Sequence, residues 1–242
     1  MKKVELTPEI MEQVKKIPDG TIGVSSSDGF FETSIKIFYI VRIVATALKN
    51  KQITLKLVWE LYQALLKMKV NHVFIYWGNG NWETVDATPR GVVKGNLLVK
   101  IMNGSGLRLF SNSGITMENI KLAKIYSYGT VGRPYGYPDF ASFVTDLLRE
   151  IFPAANIPNI KPSIYMDHCA ENATTTMDVM LTGNTGVQDG IFIPSITDRS
   201  KVHPQDVLNY LESDEAIIAK WQKVYDNRPQ NKGGLLGLNG EV

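Results

Sequence analysis

The chain has 242 residues, 44% of them hydrophobic and 21% charged, which fits one ordinary globular domain with appendages and excludes a wholly disordered, collagen-like or coiled-coil chain. Lys and Arg number 26 against 24 Asp and Glu, so the net charge of +2 lacks the basic excess of a nucleic-acid binder. With one Cys, Cys169, neither an intramolecular disulfide nor a multi-Cys zinc site is expected, and the thiol is either a small buried apolar group or a reactive centre.

The opening MKKVELTPEIMEQVKKIPDG has a basic start but no uninterrupted apolar core, so no secretory leader is expected. Val4, Leu6, Ile10, Met11 and Val14 predict a short amphipathic helix capped by Thr7 ahead of Pro8. Pro18-Asp19-Gly20 is a turn signal before the apolar run TIGV, and SSSDG (25–29) reads as a loop. Helical patterns follow at 31–48 and 54–68. The stretch 35–48 carries Lys36 and Arg42 and is shorter than the roughly 20 apolar residues of a membrane crossing, so it predicts a buried or interfacial helix without stable membrane insertion.

The period then changes. HVFIYW (72–77) is a β-prone run ending in the turn Gly78–Asn81, followed by WETVDAT (82–88), VVKGNLLVKI (92–101), GLRLF (106–110) and IKLAKIYSY (120–128). These predict a meander of short strands in one antiparallel sheet whose apolar faces need helices to cover them, an α+β fold. After GRPYGYPD (132–139) a helix is expected at 139–151, then a loop marked by Pro153, Pro158 and Pro162. Cys169 opens a helix running to Leu181, with Gly183 just past its end. A helix begins at Pro204, residues 214–226 are helical in composition, and the tail 231–242 is Gly-rich. The organisation expected is an N-terminal helical extension (1–16), a main domain (17–226) and a flexible tail (227–242).

In YMDHCAENATTTMDVML, Asp167 is a candidate N-cap, which places Cys169 in the first helical turn. Unpaired backbone N–H groups and the positive end of the helix dipole there favour a thiolate and serve an oxyanion. Glu171 opposes this if it points at the sulfur. A nucleophilic Cys needs a base, and the chain offers three His. His168 is adjacent to the Cys and leaves the helix in another direction, while His203 precedes Pro204 as a surface or capping residue. His72 opens the most β-prone run, where a rigid strand can hold one rotamer. Asp86 lies 14 residues on, across the turn, and a hairpin would return it alongside His72. The alternatives are a packed structural Cys and a satisfied core or edge His.

NHVFIYWGNGNWETVDATPRGVV resembles the histidine segment of the circularly permuted NlpC-like papain-fold cysteine amidases and peptidases (YaeF/YiiX-like), and HCAEN resembles their nucleophile motif. GRPYGYPD, VHPQDVLNY and PDGTIGV are similar to further segments of that family, and all run in its order, His first and Cys last, over residues 18–212. The resemblance implies a permuted papain-like domain with Cys169 as nucleophile, His72 as general base and Asp86 as the polar residue that orients the imidazole. Family members vary at that third place. Tyr135 and Tyr137 are candidates to line the substrate cleft, although Tyr in a Pro/Gly loop serves equally as packing. The activity implied is a thiol hydrolase acting on an amide bond, such as a peptidoglycan stem-peptide, γ-glutamyl or isopeptide link, with neither metal nor organic cofactor. Relatives of lecithin retinol acyltransferase share the scaffold, so lipid acyl hydrolysis or transfer is an alternative. A different class is a non-catalytic module of a phage particle or delivery assembly, held through the N-terminal helix or the C-terminal tail. A wall-directed enzyme made in the cytoplasm would need lysis, a secretion machine or a virion to reach its substrate.

Overall fold

Local signals account for most of the elements. The computed structural model describes residues 4–26, 72–78, 80–104, 106–135, 145, 149, 158, 168–186, 191–196 and 202–227. Thr7 accepts a hydrogen bond from the Ile10 amide and starts α1 (Pro8–Lys15), where Pro8 sits at a position that needs no N–H. Six strands follow in the chain: β1 (Thr21–Ser26), β2 (His72–Gly78), β3 (Glu83–Thr88), β4 (Gly91–Asn96), β5 (Gly106–Asn112) and β6 (Trp221–Asp226). They form one antiparallel sheet in the order β4-β3-β2-β1-β5-β6. The remaining helices described are α2 (Leu97–Met102), α3 (Met117–Gly129), α4 (Cys169–Thr182), α5 (Pro204–Leu211) and α6 (Asp214–Ile218). The fold is α+β.

Both faces of the sheet are covered, which is why HVFIYW is continuously apolar rather than alternating. Val73, Ile75 and Trp77 point to one face and join Ala123 of α3, Ala173 and Met177 of α4 and Leu208 of α5 in the larger core. Phe74 and Tyr76 point to the other face, where Val14 of α1 and Leu97 and Ile101 of α2 close a second core. Phe74 lies across Gly23 of β1, where a Cβ would stand 2.2 Å from its ring, so the glycine leaves the space that the ring fills.

The chain departs from the expected meander at three places. The run 92–101 is not one strand, because the Asn96 side chain accepts from the amides of Leu98 and Val99 and turns LLVKIM into α2. IKLAKIYSY (120–128) is helical: Thr116 caps α3 by accepting from the Asn119 amide, and Ala123 and Ser127, four apart, are buried. Residues 214–226 are only helical as far as Ile218, after which Lys220 adopts a φ of 66° and the alternating run WQKVYD joins the sheet edge as β6. Of the loop expected at 25–29, Ser25 and Ser26 instead end β1; residues 27–29, the expected helices at 31–48 and 54–68, the Gly-rich tail and Tyr137 lie outside the described residues. Of the helix expected at 139–151, the described Thr145 and Arg149 are helical.

Candidate active site

His72 is the first residue of β2, and the β2–β3 register pairs Phe74 with Asp86. Asp86 is thereby the diagonal cross-strand neighbour of His72 on the same face of the sheet, within reach of a long side chain. His72 Nε2 lies 2.8 Å from Asp86 Oδ1. Thr84, two residues back on the same face, donates its hydroxyl to Asp86 Oδ2 at 2.5 Å. Lys100 Nζ lies 2.6 Å from Asp86 Oδ1, the same oxygen that meets the imidazole. The carboxylate itself is 2% exposed, while His72 and Lys100 are 18% and 20% exposed.

A buried carboxylate with three polar neighbours needs room. Gly95 on β4 supplies it, since a Cβ there would stand 2.5 Å from Asp86 Oδ2 and 2.6 Å from Thr84 Oγ1. Lys100 arrives from α2, whose start is tied to the β2–β3 turn. Asn96 caps the helix with its Oδ1 and donates its Nδ2 to the Asn81 carbonyl at 2.9 Å, and the Leu97 amide donates to the Trp82 carbonyl at 2.8 Å. The Lys100 ammonium also sits 4.6 Å from the centre of the Phe74 ring, on which the His72 ring lies nearly parallel at 6.2 Å and 24°.

Burial acts against both charges of the pair, and close partners overcome it. For Asp86, desolvation pushes the carboxyl up, but the Lys100 charge and then the His72 hydrogen bond hold it well below the ordinary carboxylate range. For His72, desolvation pushes the imidazole down. The hydrogen bond to Asp86 and then the one to Cys169 outweigh that push and a smaller opposing one from Lys100, raising the ring to about 9.

Cys169 opens α4, the helix that packs along β2 and β3, and is 3% exposed. The sequence expectation of Asp167 as N-cap is corrected. The cap is His168, whose Nδ1 accepts from the Glu171 amide at 3.2 Å. Glu171 turns its carboxylate to His168, with Oε2 3.7 Å from Nε2. One turn into α4, Asn172 donates to Thr130 Oγ1 at 3.0 Å. Thr130 in turn donates to the Ser127 carbonyl at 2.7 Å, and Trp77 of β2 donates to Ser127 Oγ at 3.1 Å. This buried chain ties the cysteine helix to the histidine strand through the end of α3. His203 caps α5 through its Nδ1, as one of its two readings had it, and it is buried rather than at the surface.

Tyr135, a candidate cleft residue, is 3% exposed and packs in the same core as Cys169. Lys100 and Thr84 were not singled out in the sequence. Asn96 before Leu97, Leu98 and Ile101 was the available signal, an N-cap ahead of a helical apolar spacing. Among the described residues, no group of three or more His, Cys, Asp or Glu side chains is placed to hold a metal ion, and no helix is long and apolar enough to cross a membrane. No family model, no curated protein and no solved structure matches this chain.

Proposed function

We propose that the chain is a thiol hydrolase that cleaves an amide bond through Cys169, His72 and Asp86, on a permuted papain-like scaffold of the NlpC type. The observation that carries this reading is the His72–Asp86 pair, with Nε2 2.8 Å from Oδ1, whose imidazole is also acted on by Cys169, the first residue of a helix. In this mechanism His72 takes the thiol proton and Cys169 Sγ attacks the substrate carbonyl. The amides that open α4 receive the oxyanion. The imidazolium then protonates the departing amine, leaving a thioester on Cys169. Water, deprotonated by the same imidazole, hydrolyses the thioester and frees the carboxylate. Asp86 keeps the ring in one orientation and stabilises its charged form. The substrate class favoured is a peptidoglycan stem-peptide, γ-glutamyl or isopeptide link, on the strength of the motif resemblance.

The test is amide cleavage by the wild type, Cys169→Ala and Cys169→Ser on stem-peptide fragments, with phospholipid esters assayed in parallel. Both variants are expected to abolish cleavage, and mass spectrometry of the wild type is expected to trap an acyl adduct on Cys169. Cys169 is buried, so the Ser variant carries a stability cost of about 1–3 kcal/mol for an unsatisfied hydroxyl. Melting temperature therefore does not decide the matter; activity and adduct formation do. Retained cleavage in a folded Cys169→Ala protein would end the reading.

A further inference from the structure

Lys100 is a lysine with an unusual employment. Its side chain is 20% exposed and its ammonium is directed at a buried carboxylate, on the very oxygen that a histidine also uses. The helix α2 has its cap and its core residues Leu97 and Ile101 apart from it. The separation is 2.6 Å, shorter than the 2.8 Å between His72 and the same Oδ1. The carboxylate's other oxygen is occupied by Thr84.

We propose that Lys100 is a positioning residue of the cysteine site, fixing Asp86 on the Nε2 side of His72 and sharing with the imidazole the one oxygen that would otherwise serve it alone. The proposal rests on the reading of Cys169, His72 and Asp86 as a catalytic set. Its physical content is competition. A carboxylate given wholly to an imidazolium holds the proton on the ring so firmly that the ring becomes a poor acid toward a leaving amine and a poor base toward water. A second cation on the same oxygen takes part of that attraction and repels the imidazolium directly, so the ring can cycle between its two forms. Lys100 also anchors the carboxylate when the ring is neutral, which is the moment in the cycle when Asp86 would otherwise be a buried charge held only by neutral donors. Among the described residues, the charged and titratable groups acting on His72 are Asp86 from β3, Lys100 from α2 and Cys169 from α4.

The test follows the ring itself rather than turnover. Histidine Cε1–H signals are titrated by NMR in the full chain, with His72→Gln identifying the His72 resonance among the three histidines. Lys100→Met and Lys100→Gln are expected to raise the His72 midpoint by about one pH unit, the effect of removing one close like charge, while Lys100→Arg keeps it within a few tenths. Gln is included because a polar side chain tolerates partial exposure, so that one neutral variant folds. A lysine that merely packed would alter the melting temperature and leave the midpoint where it was. An unchanged or lowered midpoint in either folded neutral variant overturns the proposal. Iodoacetamide alkylation of Cys169 in the wild type separates the two readings. An inert thiol with a shifting midpoint refutes the hydrolase on which the proposal rests and leaves only the coupling of Lys100 to the imidazole. A reactive thiol with a fixed midpoint refutes the role of Lys100 alone.

Discussion

The charges of the candidate site converge on one carboxylate oxygen. Asp86 Oδ1 is shared by His72 Nε2 and Lys100 Nζ, and the charge it carries decides how strongly the imidazole holds a proton. Asp86→Asn keeps the shape and removes the charge. The variant is expected to lower the His72 titration midpoint from about 9 toward the ordinary 6.5. It should also slow amide cleavage strongly while costing about 1–3 kcal/mol of stability, the range for weakening a buried charge-assisted hydrogen bond. Histidine NMR, thermal unfolding and a cleavage assay on the one variant check all three. An unmoved midpoint would show that Asp86 does not orient the ring. Its position was legible in the sequence as a spacing of 14 across a glycine-rich turn. The register then supplies what spacing cannot, placing Asp86 opposite Phe74 and so diagonal to His72.

Single elements are arranged to hold this geometry, and the clearest case is β4. Gly95 is the only residue type that leaves space for the Asp86 carboxylate and the Thr84 hydroxyl, because an added Cβ would stand 2.5 Å and 2.6 Å from them. Gly95→Ala is expected to push the carboxylate off its place, with a loss of about 1–3 kcal/mol from overpacking and a fall in the His72 midpoint. A crystal structure or histidine titration of the variant decides this, and an undisplaced carboxylate with full stability would contradict it. The same strand ends in Asn96, which converts the next six residues into the helix that bears Lys100. Val92, Val93 and Val99 favour a strand over 92–101, but the Asn96 cap wins because its side chain satisfies two amides that a strand would leave to a neighbour. IKLAKIYSY is helical for a similar reason, since Thr116 starts a helix just upstream.

For the whole molecule, the Asp86–His72 pair makes stability depend on pH from both sides. His72 titrates higher in the folded chain, at about 9, than its ordinary 6.5. Its contribution is therefore complete below about pH 6.5 and is lost as pH rises through about 9. Asp86 titrates lower in the folded chain than the ordinary 3.8, so its contribution is present above that value and lost as pH falls below it. The contribution of the pair is expected to be greatest between about pH 4 and 6.5. Melting temperatures of the wild type and His72→Gln from pH 4 to 10 test it. The wild type should lose its advantage over the variant between pH 6.5 and 9, and parallel curves would mean that the pair contributes nothing over that range. The buried chain Trp77–Ser127–Thr130–Asn172 fixes the cysteine helix on the histidine strand, so the site is held by contacts between elements far apart in the chain.

The features legible in the chain lie within a few residues of their signals: the capped α1, the β-prone runs that became β1, β2, β3 and β5, and the helix opening at Cys169 and closing at Gly183. Caps, glycines and apolar period act over one or two turns, and a reader of the chain sees them as the backbone does. The tertiary structure alone decided the order of the strands and which face of the sheet each side chain joins. It also decided the arrival of Lys100 at the oxygen shared with His72, the burial of Cys169, and the turning of Glu171 toward His168. Those outcomes depend on desolvation and on charges meeting across separate elements. Both quantities exist only once the chain has packed, because a local stretch carries neither its own dielectric surroundings nor its distant partners.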